Sequence, residues 1–256
     1  MSQTITAERT ALVTGATGVI GSAIVRGLVA DGIRTALIAR NARHLERLEH
    51  SLDAPHLTLR LRADVAEPFD LLESRDAIRD RFGSDPDLLV VAAGILRTAP
   101  FRAAAPADWN AMIRTNLQGA LHTVQTFTEG LVSAAASARP ADLVLIGAAH
   151  ARQRSQTYAV FSSLAAAIEQ LSRHLRTELG PRGVRVHHLA PQFIESDSPS
   201  SRERAEPASS EPASSEPRVW DRRSPGPQRT AELVRFAISL PHRANLAEAV
   251  LRIGDG

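Results

Sequence analysis

Short apolar runs and amphipathic stretches alternate along most of the chain. The runs at Ala11–Val13, Thr35–Ala39, Leu57–Leu61, Leu88–Ala92, Leu143–Ile146, Val184–Leu189 and Ala249–Ile253 read as continuous apolar runs more than as alternation. Strands covered on both faces need that pattern, since every successive side chain meets a helical layer. Between them, apolar residues return at helical spacing. Ile20, Ile24, Val25 and Leu28 share one helix face, and Leu164, Ile168, Leu171 and Leu175 share another. This alternation predicts an α/β fold: a doubly wound parallel sheet of Rossmann type in a single domain spanning 1–256. Ligands of such sheets gather at the carboxyl ends of the strands, so the loops that follow the strands are where function is sought.

One segment departs from the pattern. Residues 196–227 are rich in Ser, Pro, Glu and Arg, and EPASS occurs twice within Glu206–Pro217. Such a stretch buries too little apolar surface to offset its ordering entropy, which predicts a mobile loop. It lies inside the domain, because a helical signal (Ala231–Leu240) and the last strand run follow it.

Composition changes this picture in a few places. A chain of 256 residues, 43% hydrophobic and 23% charged, suits one well-buried domain. The absence of cysteine excludes disulfides, a thiolate nucleophile and cysteine-based metal sites. All 30 of the Lys+Arg residues are arginine, so no amine is present to tune a neighbouring group or to form a Schiff base. The net charge is +2 with basic residues spread along the chain, which argues against a nucleic-acid partner. No apolar run is long enough to span a bilayer and MSQTITAERT has no signal core, so the expectation is a cytoplasmic protein with no membrane partner. No HxxxH or acid-rich cluster suggests a metal.

The first strand runs into TGATGVIG, which contains Thr14, Gly15, Thr17, Gly18, Val19, Ile20 and Gly21, and then directly into a helix. Glycines at 15, 18 and 21 permit a tight turn, close approach to a pyrophosphate, and close packing of helix on strand. The helix N-terminus then faces the phosphates with its partial positive charge.

Here the chain resembles the short-chain dehydrogenase/reductase family, over nearly its whole length. The glycine spacing is similar to the family's extended branch, TGxxGxxG, and the rest resembles the shorter branch. Within the resemblance, Arg40 ends the second strand where an acid would bind the ribose of NAD; arginine suits a 2′-phosphate and implies NADP(H). Asp64 and Val65 resemble the pair that contacts adenine. Ala92, Ala93 and Gly94 stand where the family has Asn-Ala-Gly, and the lost asparagine removes one backbone-fixing contact.

The same resemblance exposes what is missing. Asp108–Gly119 resembles the helix carrying the family's asparagine, here Asn116, which helps hold a proton-relay water beside a lysine; without the lysine, a structural amide is the expected role. Counting back from Glu178, Leu179, Pro181, Gly183 and Pro191 along one helix puts the family's YxxxK on Phe161 and Ala165, and its serine on Ala148. The implied proton donor, its tuning cation and the carbonyl-orienting hydroxyl are therefore absent, and Gln192 replaces a glycine beside the nicotinamide. Acid–base catalysis supplies factors of about 10²–10⁴. Tyr158 and His150 are the remaining candidate catalytic groups, with Arg152 and Arg154 on the same loop. Tyr158 has Ser162 four residues on, and a tyrosine without a cation beside it ionises near pH ~10. His187 and His188 lie in a late strand and are expected to be structural.

Three readings remain. The first is an NADP(H)-binding pseudoenzyme or partner subunit that binds the cofactor weakly. The second is a re-tasked non-redox enzyme (dehydratase, cyclase or isomerase) acting on a polyketide-like or other small metabolite through His150 and Tyr158. The third is a feeble NADPH-dependent ketoreductase. A pocket filled by Phe161 and Phe193 would favour the first reading, and one lined by unsatisfied polar groups the second. The helices at Ala107–Val132 and Phe161–Leu179 resemble those that pair family dimers, and the Leu164 stripe is read as a surface for a second copy or an active relative.

Overall fold

The computed structural model describes residues 9–149, 157–192 and 226–252. Strands β1 (Thr10–Thr14), β2 (Arg34–Ala39), β3 (Thr58–Arg62), β4 (Leu88–Val91), β5 (Asp142–Ile146), β6 (Arg185–Pro191) and β7 (Glu248–Leu251) form one sheet in the order β3-β2-β1-β4-β5-β6-β7. Every neighbouring pair is parallel. The helices are α1 (Val19–Ala30), α2 (Ala42–Leu52), α3 (Pro68–Phe82), α4 (Pro106–Met112), α5 (Gly119–Ala136), α6 (Ala159–Leu179) and α7 (Gly226–Ser239). A π-type turn, Ile113–Gln118, joins α4 to α5.

The continuous apolar runs are explained by the two layers. Leu12, Leu89, Leu143 and Val186 pack with Ile78 of α3, Phe127 of α5 and Ile168 of α6. Val13, Val90 and Val144, each next in the chain, and Leu189, three residues after Val186, pack on the other side with Ile24 and Leu28 of α1, Leu45 of α2 and Val234 of α7. Because side chains alternate across a strand, the central strands feed both layers, whereas the edge strand β3 turns Arg60 and Arg62 outward. The strand order reverses between β1 and β4, which opens a crevice at their carboxyl ends.

Several expectations shift. Strand ends move by one or two residues: β3 starts at Thr58, β4 stops at Val91, and β6 continues to Pro191 because Ala190 and Pro191 still pair with β7. Ile253, expected in the last strand, lies outside the described residues, as does the expected loop from 196 to 225. Gly226 and Pro227, assigned to that loop, instead open α7, where a proline's missing N–H costs no helix bond. The Leu164 stripe is core: Leu164 and Ile168 are buried, and Leu171 and Leu175 pack on the same cluster. A second chain is not needed to cover it.

Candidate functional site

At the switch point the chain turns so tightly that side chains are excluded. Gly15 has φ +64°, and a Cβ there would stand 2.7 Å from the Ala93 Cα and 2.8 Å from the Ala92 carbonyl oxygen. A Cβ on Gly21 would lie 2.1 Å from the Gly15 carbonyl oxygen. Gly18 N–H donates to that oxygen at 2.9 Å and Gly18 then caps α1 with no side-chain acceptor on the first turn. The loop thus presents bare backbone and an open helix N-terminus to the crevice, with Gly18 and Val19 exposed and Thr17 and Ile20 half-buried. The buried Thr14 hydroxyl faces β4, accepting from Ala92 N–H (3.2 Å) and Ala93 N–H (3.3 Å). That ties the two strand ends together at the position where the family's asparagine is missing, a role the sequence did not reveal.

Beyond β1, three exposed arginines converge on one corner. Arg40 follows the last residue of β2, Arg62 ends β3 in register with Ala39, and Arg43 stands on the first turn of α2. None of these guanidiniums makes an ion pair or hydrogen bond among the described residues. The α2 N-terminus itself is capped by Asn41, which accepts from His44 N–H. Next to this corner, Asp64 Oδ1 accepts from Ala66 N–H at 3.0 Å and its Oδ2 lies 3.5 Å from Arg114, which also pairs with Glu67. Val65 is buried against α5, where a Cβ on Gly119 would come within 2.5 Å of it.

The chemistry end is apolar where the described residues reach. Helix α6 runs unbroken from Ala159 to Leu179; on it Phe161 is half-buried and Ala165 buried, and Ala148, after β5, is buried as well. Asn116 is fully engaged: its Oδ1 accepts from Ile95 N–H and its Nδ2 donates to the Ile95 carbonyl, both at 2.8 Å. Gly94 lies directly beneath this amide. Tyr158 precedes α6 and is half-buried; its carbonyl accepts from Ser162 N–H. His150, Arg152, Arg154 and Phe193 lie outside the described residues. Gln192 is joined to β7 through its N–H on the Leu251 carbonyl.

Two features escaped the sequence reading. The His188 ring is buried under the end of β5, so close that a Cβ on Gly147 would lie 2.2 Å from its Nε2. A shallow groove runs between the segment 97–104, α4 and the start of α6, lined by Arg97, Asp108, Trp109 and Thr157 among others. Phe101 stacks on Trp109 across it, with centroids 5.3 Å apart. Phe161, Ala148 and Ala165 are not among its lining residues.

The strongest electrostatics sit at the opposite end of the sheet. Arg9 bridges Asp87 and Asp142 at 2.8 Å each, and Arg185 and His187 also bind Asp142, at 2.7 and 3.0 Å. Burial pushes the Asp142 carboxyl up, but His187, Arg9 and Arg185 outweigh it and bring it down to about 2. Asp87 goes the other way, raised by burial beyond what Arg9 recovers. These groups lie at the amino ends of β1, β4, β5 and β6, away from the crevice, so they fasten strands rather than perform chemistry. His187 therefore has the structural role expected of it.

A model of the short chain dehydrogenase family matches residues 9–207. The chain belongs to that family. An uncharacterized oxidoreductase of Staphylococcus epidermidis is 25% identical over 245 residues, covering 96% of this chain and 97% of the relative. An uncharacterized oxidoreductase of Staphylococcus aureus is 24% identical, covering 97% and 99%. Among solved structures, a metagenomic short-chain oxidoreductase in complex with NADP superposes with TM-score 0.78 at 21% identity, covering 98% of this chain and 100% of that one. An alcohol dehydrogenase from the archaeon Thermococcus sibiricus, complexed with 5-hydroxy-NADP, gives 0.77 at 25% identity, with 96% of each covered. No described helix is long and apolar enough to cross a membrane, and no described His, Asp or Glu residues group as metal ligands.

Proposed function

We propose that this chain is an NADP(H)-binding member of its family that does not perform standard carbonyl reduction, and that it serves as a pseudoenzyme or partner subunit. The observation that carries this reading is a contrast along one crevice. At the adenosine and phosphate end, Gly15 and Gly21 allow a turn in which a Cβ would strike neighbouring backbone, and Arg40, Arg43 and Arg62 have no carboxylate partner among the described residues. At the nicotinamide end, Ala148, Phe161 and Ala165 offer no proton, no cation and no hydroxyl. Bound NADPH brings a hydride donor; what this chain adds at that end is shape and the exclusion of water. With nothing to protonate a developing alkoxide, hydride transfer to a carbonyl lacks its acid.

A second reading, re-tasked non-redox chemistry on a small metabolite, has one observation on its side. The groove beside Tyr158 combines an aromatic pair with Arg97, Asp108 and Thr157, as a small polar-tipped ligand would need.

Fluorescence titration with NADPH and NADH, followed by assay for cofactor oxidation with reactive ketones, tests the proposal. We expect NADPH to bind more tightly than NADH, with negligible oxidation. Arg40→Asp should remove the preference, since it replaces a partner of the 2′-phosphate with a like charge. Equal affinity of the unmodified protein for both cofactors would refute the 2′-phosphate role of Arg40.

A further inference from the structure

We propose that the buried His187 is a proton-dependent latch. As an imidazolium it ties Leu246, in the segment joining α7 to β7, to Asp142 of β5, and the tie loosens when the ring loses a proton. The inference stands apart from the nucleotide-binding reading. The ring is fully buried, with Nε2 3.0 Å from Asp142 Oδ1 and Nδ1 3.0 Å from the Leu246 carbonyl oxygen. Neither partner can donate. The carbonyl carries no proton, and Asp142 is kept ionised by Arg9 on Oδ2 at 2.8 Å and Arg185 on Oδ1 at 2.7 Å. A neutral imidazole has one donor nitrogen and one acceptor nitrogen, so at one end or the other it would set its lone pair against an oxygen. The imidazolium, with two donors, satisfies both contacts.

The charged groups around the ring leave it as the variable member. Arg185 also donates to the carbonyls of Ile238 and Leu240, at 3.1 and 2.6 Å, and so holds the end of α7. From α6, Arg176 reaches the Ala247 carbonyl at 2.6 Å, with Glu248 and Arg173 beside it. Guanidiniums keep their charge, so these ties are permanent. Asp87 faces Arg9 and Arg139 rather than the ring. Burial pushes the Asp142 carboxyl up, but His187, Arg9 and Arg185 bring it down to about 2, so it remains an acceptor while a histidine titrates. His242 and Arg243 are exposed on the same segment. The latch is therefore closed on the acid side of the ring's titration and weakened on the alkaline side, where one buried contact loses its donor. Strand β7 starts just past Leu246, stands at the sheet edge and is only partly buried along its length. Its carbonyl contacts with His188 N–H (from Ala247, 3.1 Å) and Gln192 N–H (from Leu251, 2.8 Å) should loosen with its entry, because an edge element with little burial opens first.

The test reads the ring and the strand separately in the full chain. Histidine-selective nitrogen NMR, with the His187 signals identified by their loss in His187→Gln, follows the ring from pH ~5 to ~9, a span that brackets ordinary histidine titration. Hydrogen exchange by mass spectrometry over 185–192 and 246–251, corrected for the intrinsic base-catalysed rate, follows the strand. We expect both ring nitrogens to be protonated at the acid end. Protection of the two segments should then fall at least about fivefold as pH rises, the least that an unpaired buried acceptor costs, while β1 keeps its protection. His187→Gln should remove this pH dependence, and His242→Gln should retain it. A His187 ring that carries a single proton at pH ~5 overturns the inference. So does protection of 246–251 that is flat with pH in the unmodified protein, or that falls equally in His187→Gln. Should His187→Gln fail to fold, exchange in the unmodified and His242→Gln proteins decides: a fall in both supports the latch, and a fall lost in His242→Gln overturns it.

Discussion

At the scale of single residues, the candidate site is shaped by what each small side chain stands next to. Gly147 is the clearest case, because His188 fills the volume that a Cβ there would need. Gly147→Ala should force the buried ring or the end of β5 to move, at a cost of about 1–3 kcal/mol. His188→Ala in the same chain should recover part of that loss, and the two changes should be non-additive in denaturant unfolding. Additive losses would show that Gly147 is needed for some other reason. This contact could not be read from the sequence, because it depends on which sheet face His188 meets and on how far β5 extends. The helix that carries Phe161 and Ala165 was legible for the opposite reason. A single helix with no gap carries the count from Gly183 back to Phe161, and a helix keeps register over any length. Asn116 was legible as a structural amide, but its partner Ile95 was not, since the pairing spans two loops.

At the scale of elements, the sheet was legible because burial on both faces leaves a signal in every residue of a strand. Strand ends were less so: β6 runs on through Pro191, since pairing with β7 outlasts the apolar run. The fastening at the amino ends was invisible, because Arg9, Asp87, Asp142 and the pair Arg185 and His187 come from four distant stretches and no local pattern links them. Its energetics can be tested with acid. The Asp142 carboxyl lies at about 2 in the fold against an ordinary 3.8. A depressed carboxylate contributes stability that is present above its ordinary value and is lost as pH falls toward the folded one, roughly 2 kcal/mol here. Asp87, held above its ordinary value, works in the opposite direction, so the net acid dependence is shallower than Asp142 alone would give. Asp142→Asn should destabilise the protein at neutral pH by about 3–5 kcal/mol, because Arg9 and Arg185 are then left facing an amide in a buried place. The same variant should show a flatter loss of stability between pH ~4 and ~2. Unchanged neutral stability in urea unfolding would show that the cluster is neutral to the fold.

At the scale of the whole molecule, the proposed reading joins the family scaffold to a nicotinamide end without the family's proton-handling groups, and it can be tested by rebuilding that end. The missing groups are a hydroxyl at 148, a phenol at 161 and a cation at 165. Phe161→Tyr alone adds a phenol that ionises near pH ~10, too high to exchange a proton readily at neutral pH. Ala165→Lys alone places a charge at a position only 8% exposed, where desolvation without a partner should destabilise the fold. Joined with Ala148→Ser, the lysine gains a phenol to tune and the phenol gains its cation, so the three act as a unit and their effects should not add. The triple variant should therefore oxidise NADPH in the presence of a reactive ketone or quinone, while each single variant stays near background. Binding of NADPH to the triple variant, measured in parallel, separates a failed cofactor site from failed chemistry. A triple variant that binds NADPH tightly yet transfers no hydride would show that more than these three groups has been lost, with Gln192 the first residue to restore to glycine. Unmodified protein that already reduces such substrates at ordinary enzymatic rates would sink the proposal outright. A proton donor outside the vacated positions, Tyr158 before α6 or His150, would then be performing the chemistry.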